Sequence, residues 1–415
     1  MIDSQCAALH RNALDNQANP SRARNRHAKE FVAQLSFGPS RLASGTGYRE
    51  GMIGRLMLAL GIVAASVAGC GGNSSAQEAS GRVTVAGGGI LLDGQRWEPY
   101  GFNAYQLATD WNINSGCGAA VDLDRFFAAL PRRSLVRFDA FQALATNRVT
   151  GELNFAPIDA VFAAAERHDQ LLIPVLSPQD GSCDGNRFKE RQWYVDGWHE
   201  AAAPFTLSFR DWMTAAADRW KDSHALAAWE LVGEPETSTC ADAACSWSLR
   251  DCTADAATVL RAFFDTAGAE LRRHDPRTLI TAGLAGGGQC GAQGDEYRTV
   301  GASPFVDVLQ YHDYGADTVA LPGDEWNGLG QRLRQAAELG KPLLVGEVGE
   351  LAGSCESVDA RAANIDAKLD GQRAAGAAGA LVWSFVPDPR TQACTYDVGY
   401  DDPLWTVIAR HADRS

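Results

Sequence analysis

The chain has 415 residues, with 51 acidic against 37 basic side chains and a formal charge of −14. That balance has the wrong sign for a nucleic-acid binder, which needs clustered Lys and Arg against phosphate. With 46% apolar and 21% charged residues the composition is globular rather than disordered, and no apolar run reaches the roughly 20 residues of a membrane-spanning helix.

Residues 1–51 are rich in Arg, Asn, Ser and Ala and show no sustained period. The character changes at Met52-Ile-Gly-Arg55, a short positive start to the apolar stretch Leu56–Ala68. Its 13 residues are the size of a signal-peptide core. The stretch ends in Val67-Ala68-Gly69-Cys70, which resembles the bacterial lipoprotein box, whose Cys becomes the lipidated first residue. A Gly- and Ser-rich tether follows. The reading therefore takes 1–51 as an upstream, non-native or disordered extension with the true start at Met52, 52–69 as a lipoprotein signal peptide, 70–82 as the tether and 83–415 as the functional domain. Without its first 69 residues the chain would carry −18, which fits an acidic, extracytoplasmic domain, either held to a bacterial membrane only through lipid on Cys70 or secreted.

Apart from Cys6 and Cys70 there are eight cysteines: Cys117, Cys183, Cys240, Cys245, Cys252, Cys290, Cys355 and Cys394. An even number in loop-like segments of an exported chain points to disulfides. Cys240, Cys245 and Cys252 lack a paired CxxC and a nearby His, so a metal site is the weaker reading. Loop neighbourhood pairs Cys117 with Cys183 and Cys355 with Cys394, and leaves the others open.

From residue 83 onward, short β-branched runs alternate with helical patterns, as in βαβ units. A hairpin is expected at Val83–Leu92 around Gly87-Gly-Gly89. Eight strands follow: Trp97–Asn103, Leu135–Asp139, Leu171–Leu176, Ala227–Val232, Thr278–Ala282, Val306–His312, Pro342–Glu347 and Ala378–Phe385. Helices fall at Ile158–His168, Leu207–Trp220, Ala256–His274, Gly328–Leu339 and Ala360–Ala375; Ile158, Val161, Phe162 and Ala165 give one apolar face. Eight alternations favour a closed (β/α)8 barrel, its bottom closed by the hairpin. A doubly wound sheet would carry a GxGxxG after its first strand, and Gly101-Phe-Asn-Ala-Tyr105 has one glycine.

In such a barrel, chemistry gathers at the C-terminal strand ends. Strand four runs into Trp229-Glu-Leu-Val-Gly-Glu234-Pro235 and strand seven ends in Val345-Gly-Glu347-Val-Gly349. Two carboxylates facing each other across a barrel mouth are the apparatus of glycoside hydrolysis: one protonates the leaving oxygen, the other attacks the anomeric carbon. Here the chain resembles glycoside hydrolase family five, over roughly residues 83 to 412. Trp229–Pro235 is similar to the family's W-E-L-A-N-E-P, whose Glu before Pro is the acid/base, which implies that role for Glu234. Lys341-Pro-Leu-Leu-Val-Gly-Glu347-Val-Gly349 is similar to K-P-x-x-x-x-E-[FY]-G, which implies that Glu347 is the nucleophile. Val136-Arg137-Phe138 resembles the strand-two V-R-x and places Arg137 under the nucleophile. Val306-Asp-Val-Leu-Gln-Tyr-His312-Asp-Tyr314 resembles D-x-x-x-x-H-x-Y, so His312 and Tyr314 would flank the site. Trp383 resembles the strand-eight Trp that floors a sugar subsite, with Asn103 as a further substrate contact. Glu230, Glu236 and Glu350 are set aside as neighbouring decoys. The resemblance implies retention of configuration, carboxyls about 5–5.5 Å apart, Glu234 protonated at rest through burial and the charge of Glu347, no metal and no cofactor.

The chain departs from the family at Gly233, where the family has the Asn that bonds the sugar 2-hydroxyl. Either Asn103 or Gln179 replaces that amide, or the substrate differs at C2, or the protein binds sugar and cleaves it poorly. Strand three ends in Ile173-Pro-Val-Leu-Ser-Pro-Gln179 without a His. With Val136–Phe141 and Trp229–Leu231, this leans toward the endo-β-mannanase branch. Tyr105, Trp111, Trp193, Tyr194, Trp198, Trp247 and Trp326 are candidate stacking rings for a saccharide. The expected function is retaining hydrolysis of a mannan-like or glucan-like β-linked polysaccharide or oligosaccharide by a monomeric chain. The alternative is a carbohydrate-binding lipoprotein with weak or no catalysis. A metal-dependent barrel hydrolase would want several His and Asp at strand ends, and His312 alone qualifies.

Overall fold

A computed structural model describes residues 82–242 and 245–414. The expectations for residues 1–51, for the signal segment 52–69, for Cys70 and for the tether as far as residue 81 lie outside the described residues.

Eight parallel strands form the barrel: Tyr100–Asn103, Leu135–Asp139, Leu171–Val175, Ala228–Glu230, Leu279–Thr281, Leu309–Asp313, Leu343–Val348 and Ala380–Val382. Each pairs with its neighbours in chain order, and strand eight pairs with strand one through Ala380–Tyr100, Leu381–Gly101 and Val382–Phe102. A parallel bridge between Thr281 and Val308 completes the ring. The strands are apolar on both faces because helices cover the outside while side-chain layers fill the inside; all six residues of Leu343–Val348 are buried.

The expected first strand is two elements. Gln95–Trp97 pairs back on Gly89–Leu92, which pairs with Val83–Ala86, so the bottom cap is a three-stranded meander rather than a two-stranded hairpin. Pro99 separates the meander from Tyr100: it has no N–H to give a ladder, and its carbonyl accepts from Ala380 N at 2.9 Å. Val83, Ile90, Leu92 and Trp97 plug the barrel floor against Leu135, Leu171, Leu279 and Leu344.

The five expected helices are present within one or two residues, as Ala156–Arg167, Phe209–Trp220, Ala256–His274, Leu329–Glu338 and Val358–Ala374. Ser208 and Ser357 cap two of them by accepting from Asp211 N and Ala360 N. Four shorter helices, Leu123–Ala129, Arg191–Val195, Glu296–Gly301 and Leu404–Ala412, were not expected. No helix among the described residues is long and apolar enough to cross a membrane.

Four disulfides tie the eight cysteines: Cys117–Cys183 and Cys355–Cys394, as expected, together with Cys240–Cys245 and Cys252–Cys290. All of these cysteines lie in the segments that follow the C-terminal ends of barrel strands, and three of them, Cys240, Cys252 and Cys394, stand in short antiparallel ladders within those segments. Three of the bridges join different loops, so they brace the mouth where the expected site residues stand.

Candidate active site

Strand alternation builds the site from below. In Ala228–Glu230, Trp229 turns outward and gives its indole N–H to Asp275 Oδ2 at 2.8 Å, whereas the fully buried Glu230 turns into the barrel. The chain then leaves the strand, and Glu234 adopts φ +56°, a left-handed backbone uncommon for a non-glycine residue. Backbone bonds on both sides hold it there, from Glu234 N to Gly283 O at 2.9 Å and from Gly233 N to Ser177 O at 2.9 Å. Glu347 stands where strand seven breaks register against both neighbours, an irregularity of the kind that re-aims a side chain.

The two glutamates meet. A carboxylate oxygen of each, together with a ring nitrogen of His312, lies within 4.8 Å of the others. Glu347 is 3% exposed and held at both oxygens: Arg137 Nη1 donates to Oε1 at 2.7 Å, and the Tyr314 hydroxyl donates to Oε2. His312 Nδ1 lies 2.7 Å from Glu234 Oε1 and 3.5 Å from Glu347 Oε2. The Glu234 side chain is 42% exposed and opens to solvent. The expected burial of this residue is therefore corrected. Glu234, His312 and Glu347 offer three donor atoms, and the Glu347 oxygen nearer His312, Oε2, already accepts from the Tyr314 hydroxyl.

Arg137 is more deeply engaged than the motif implies. Its Nε and Nη2 face Glu230 at 3.1 and 2.6 Å, and its Nη1 also donates to Asn103 Oδ1 at 2.9 Å. Burial opposes the charge, but Glu230 and Glu347 outweigh it and raise the guanidinium pKa further. For His312, burial would lower the pKa, yet Glu347 and Glu234 raise it above the ordinary histidine value. Tyr314 is pushed well above the ordinary phenol range by burial and then by Glu347, so it remains a donor.

Asn103, expected to touch substrate, is 1% exposed; besides accepting from Arg137 it gives its amide to Gly346 O at 2.9 Å, which is the position of a brace for Arg137. Gln179 is no substitute for the missing Asn. Its amide donates to Lys189 O and Glu236 O and its oxygen accepts from Glu236 N and Tyr194. Trp383 is half-buried and stacks on Tyr105, with ring centroids 5.7 Å apart. Of the other candidate rings, Tyr194 and Trp198 are core at 1% and 2% exposure, while Trp111 and Trp326 are open to solvent.

Two residues that sequence reasoning passed over join the site. Glu230 was set aside as a decoy, but its inward parity on strand four marked it as a buried carboxylate in need of a cation. Gln310 carried no motif; it donates to Glu230 Oε2 at 2.6 Å and its oxygen lies 3.2 Å from His312 Nε2. The other two decoys do lie apart: Glu236 bonds Ser238 and Arg250, and Glu350 faces Lys368.

No protein-family model matches this chain. It is 25% identical over 221 residues to the mannan endo-1,4-beta-mannosidase F of Aspergillus clavatus, a match covering 48% of this chain and 45% of that protein. The chain thus spans about half the length of the curated relatives it matches. Among solved structures it resembles the endo-1,4-beta-mannanase of Rhizomucor miehei with a TM-score of 0.60 at 17% identity, over 80% of this chain and 98% of that one. It also resembles a glycoside hydrolase family 5 mannosidase of the same organism, with a TM-score of 0.56 at 12% identity over 80% and 96%. These likenesses establish the (β/α)8 fold.

Proposed function

We propose that this chain is a retaining glycoside hydrolase acting on a β-linked polysaccharide, mannan-like before glucan-like, with Glu347 as nucleophile and Glu234 as acid/base. The observation that carries the reading is the meeting of two differently dressed carboxylates at one mouth: Glu347 buried between Arg137 and Tyr314, Glu234 open to solvent against His312. Glu347 attacks the anomeric carbon while Glu234 gives its proton to the leaving oxygen, forming a glycosyl-enzyme ester. Glu234 then takes a proton from water as the water opens that ester. Arg137 and Tyr314 hold Glu347 aimed, and the Tyr105–Trp383 stack offers a ring face for a sugar. The mannan preference is supported by the names of the relatives and of the structural neighbours. Four disulfides fit an oxidising, extracytoplasmic compartment, and a lipid anchor at Cys70 completes the proposal. A screen of β-mannan, β-glucan and defined oligosaccharides with detection of the product anomer tests it: release of sugar with retained configuration is expected, and inversion or no release on any of them removes the assignment.

The second reading, a sugar-binding protein that cleaves poorly, draws on Gly233. A Cβ at this position would lie 3.0 Å from Arg137 Nη2 and 3.3 Å from Val175 Cγ1. The space is thus occupied by the arginine that aims Glu347. Gly233→Asn is expected to lower kcat by about tenfold or more by displacing Arg137, an effect in line with a misplaced catalytic group. A rise in kcat in this variant would mean instead that glycine is a lost substrate contact, and would favour the weakly catalytic reading.

A further inference from the structure

The two glutamates are joined beneath the site by a closed run of polar contacts. Glu347 bonds Arg137, Arg137 bonds Glu230, Glu230 bonds Gln310, Gln310 meets His312, and His312 meets Glu234. We infer that Gln310, oriented by Glu230, is a positioning residue that fixes the tautomer of His312 and so lets His312 and Glu234 share the acid proton. The inference rests on the assignment of Glu234 as acid/base.

The Glu230 carboxylate, gripped by Arg137, can only accept, so the group that Gln310 turns to it at 2.6 Å is the amide N–H. The same nitrogen reaches Thr281 Oγ1 at 2.7 Å. The Gln310 oxygen is left facing His312 Nε2 at 3.2 Å, and an oxygen there requires Nε2 to carry a hydrogen. A neutral His312 then presents a bare Nδ1 to Glu234 Oε1 at 2.7 Å. That contact needs one proton, placed either on the carboxyl, which donates to Nδ1, or on Nδ1, which donates to the carboxylate. The two states differ by one short proton transfer and balance without any other reactant. The opposite tautomer would hold Nδ1–H against Glu234 and leave a bare Nε2 against the Gln310 oxygen.

The backbone is shaped around this arrangement. A Cβ at Gly346 would fall on the Gln310 oxygen and within 3.1 Å of His312 Nε2, and one at Gly283 would lie 2.7 Å from Glu230 Oε1. The charged groups facing His312 are Glu234 from the loop after strand four, Glu347 from strand seven and Arg137 from strand two. The carboxylates outweigh both burial and Arg137 and favour the protonated ring. Losing the Gln310 oxygen removes an acceptor from that ring, so the shared proton should leave at lower pH.

The test compares Gln310→Met with the unaltered enzyme on two aryl β-glycosides of whichever sugar the polysaccharide screen identifies. One has a phenol leaving group, which needs protonation; the other has 2,4-dinitrophenol, which does not. Expected is a fall in kcat/KM on the phenyl glycoside of about 10- to 100-fold, a change under about threefold on the dinitrophenyl glycoside, and a basic limb moved to lower pH. Equal losses on both substrates, or no loss on either, overturn the inference. Glu234→Ala is run beside it: if that variant also fails to split the two substrates, the acid assignment itself falls, whereas a split there with none in Gln310→Met removes the tautomer role alone. A measurement on the unaltered protein covers the case of a variant that does not fold. Imidazole 15N shifts of His312 should report a protonated Nε2 at every pH at which the protein is folded, and an Nδ1–H neutral form overturns the proposal.

Discussion

Glu347→Ala should lose turnover by on the order of 10⁴- to 10⁶-fold, the scale seen when a covalent nucleophile is removed, while the protein stays folded and still binds oligosaccharide. Folding survives because Arg137, the cation left behind, keeps its two contacts to Glu230 and its bond to Asn103. The cleared space beside Arg137 then makes a second readout available. Azide added to Glu347→Ala should restore turnover of an activated aryl glycoside, with the product now of inverted configuration, because a small anion attacks from the face the carboxylate occupied. Full activity in this variant, or azide rescue with retained configuration, would show that Glu347 is not the attacking group. Glu234→Ala should fail differently, losing most on substrates with poor leaving groups, since general acid help is worth about 10²- to 10⁴-fold.

Most of the scaffold was legible because parallel barrel strands are buried on both faces and leave continuous apolar runs. Leu135–Asp139 has the bounds expected of it, and Leu309–Asp313 and Leu343–Val348 lie close to theirs. The first strand was read too long because Trp97 and Tyr100 look alike to a pattern of apolar residues; Pro99 is the punctuation between them. The four missed helices, such as Glu296–Gly301 and Leu404–Ala412, are short and sit among Gly and Pro, where period cannot accumulate. Two disulfides followed from loop neighbourhood; Cys240–Cys245 and Cys252–Cys290 did not, because three cysteines crowd the segment after strand four and their spacing does not say which of them reaches Cys290.

The site divides along the same line. Glu234, Glu347, Arg137, His312 and Tyr314 each carry a motif, and the structure gathers them at one mouth. Gln310 stands at an unspecified position and Glu230 in a motif that was given no role for it, because what they do depends on partners 80 and 93 residues away. Glu230 could still have been found by its parity, since a carboxylate pointing into a barrel must meet a cation or remain protonated. Gln310 could not, for an amide on an inward strand position reads equally well as a packing residue.

The outward side of strand six yields the last large effect. His312 and Tyr314 turn into the site, and Asp313 between them turns toward the helix Val358–Ala374, where it meets Lys368 at 3.1 Å and Gln372 at 2.7 Å. Lys368 also faces Glu350 at 3.4 Å, and none of the three charged side chains is more than 3% exposed. Lys368→Met keeps the bulk and strands two buried carboxylates, a loss of about 3–5 kcal/mol for a broken buried pair, or a fall in Tm on the order of 10 °C for a domain of this size. The pH dependence has a definite sign. Burial already raises both carboxyls above their ordinary values against the pull of Lys368, and without the lysine they rise further. A folded-state pKa above the unfolded one makes the native state the tighter proton binder, so the variant loses stability as pH rises from about 4 toward 7 and recovers part of it on acidification. Melting curves at pH 5 and pH 7 should therefore show a deficit that shrinks at the lower pH. A deficit that is the same at both, or a Tm within 1 °C of the unaltered protein at pH 7, would mean that the triad does not hold the end of strand six, and that His312 and Tyr314 owe their placing to the barrel layers alone.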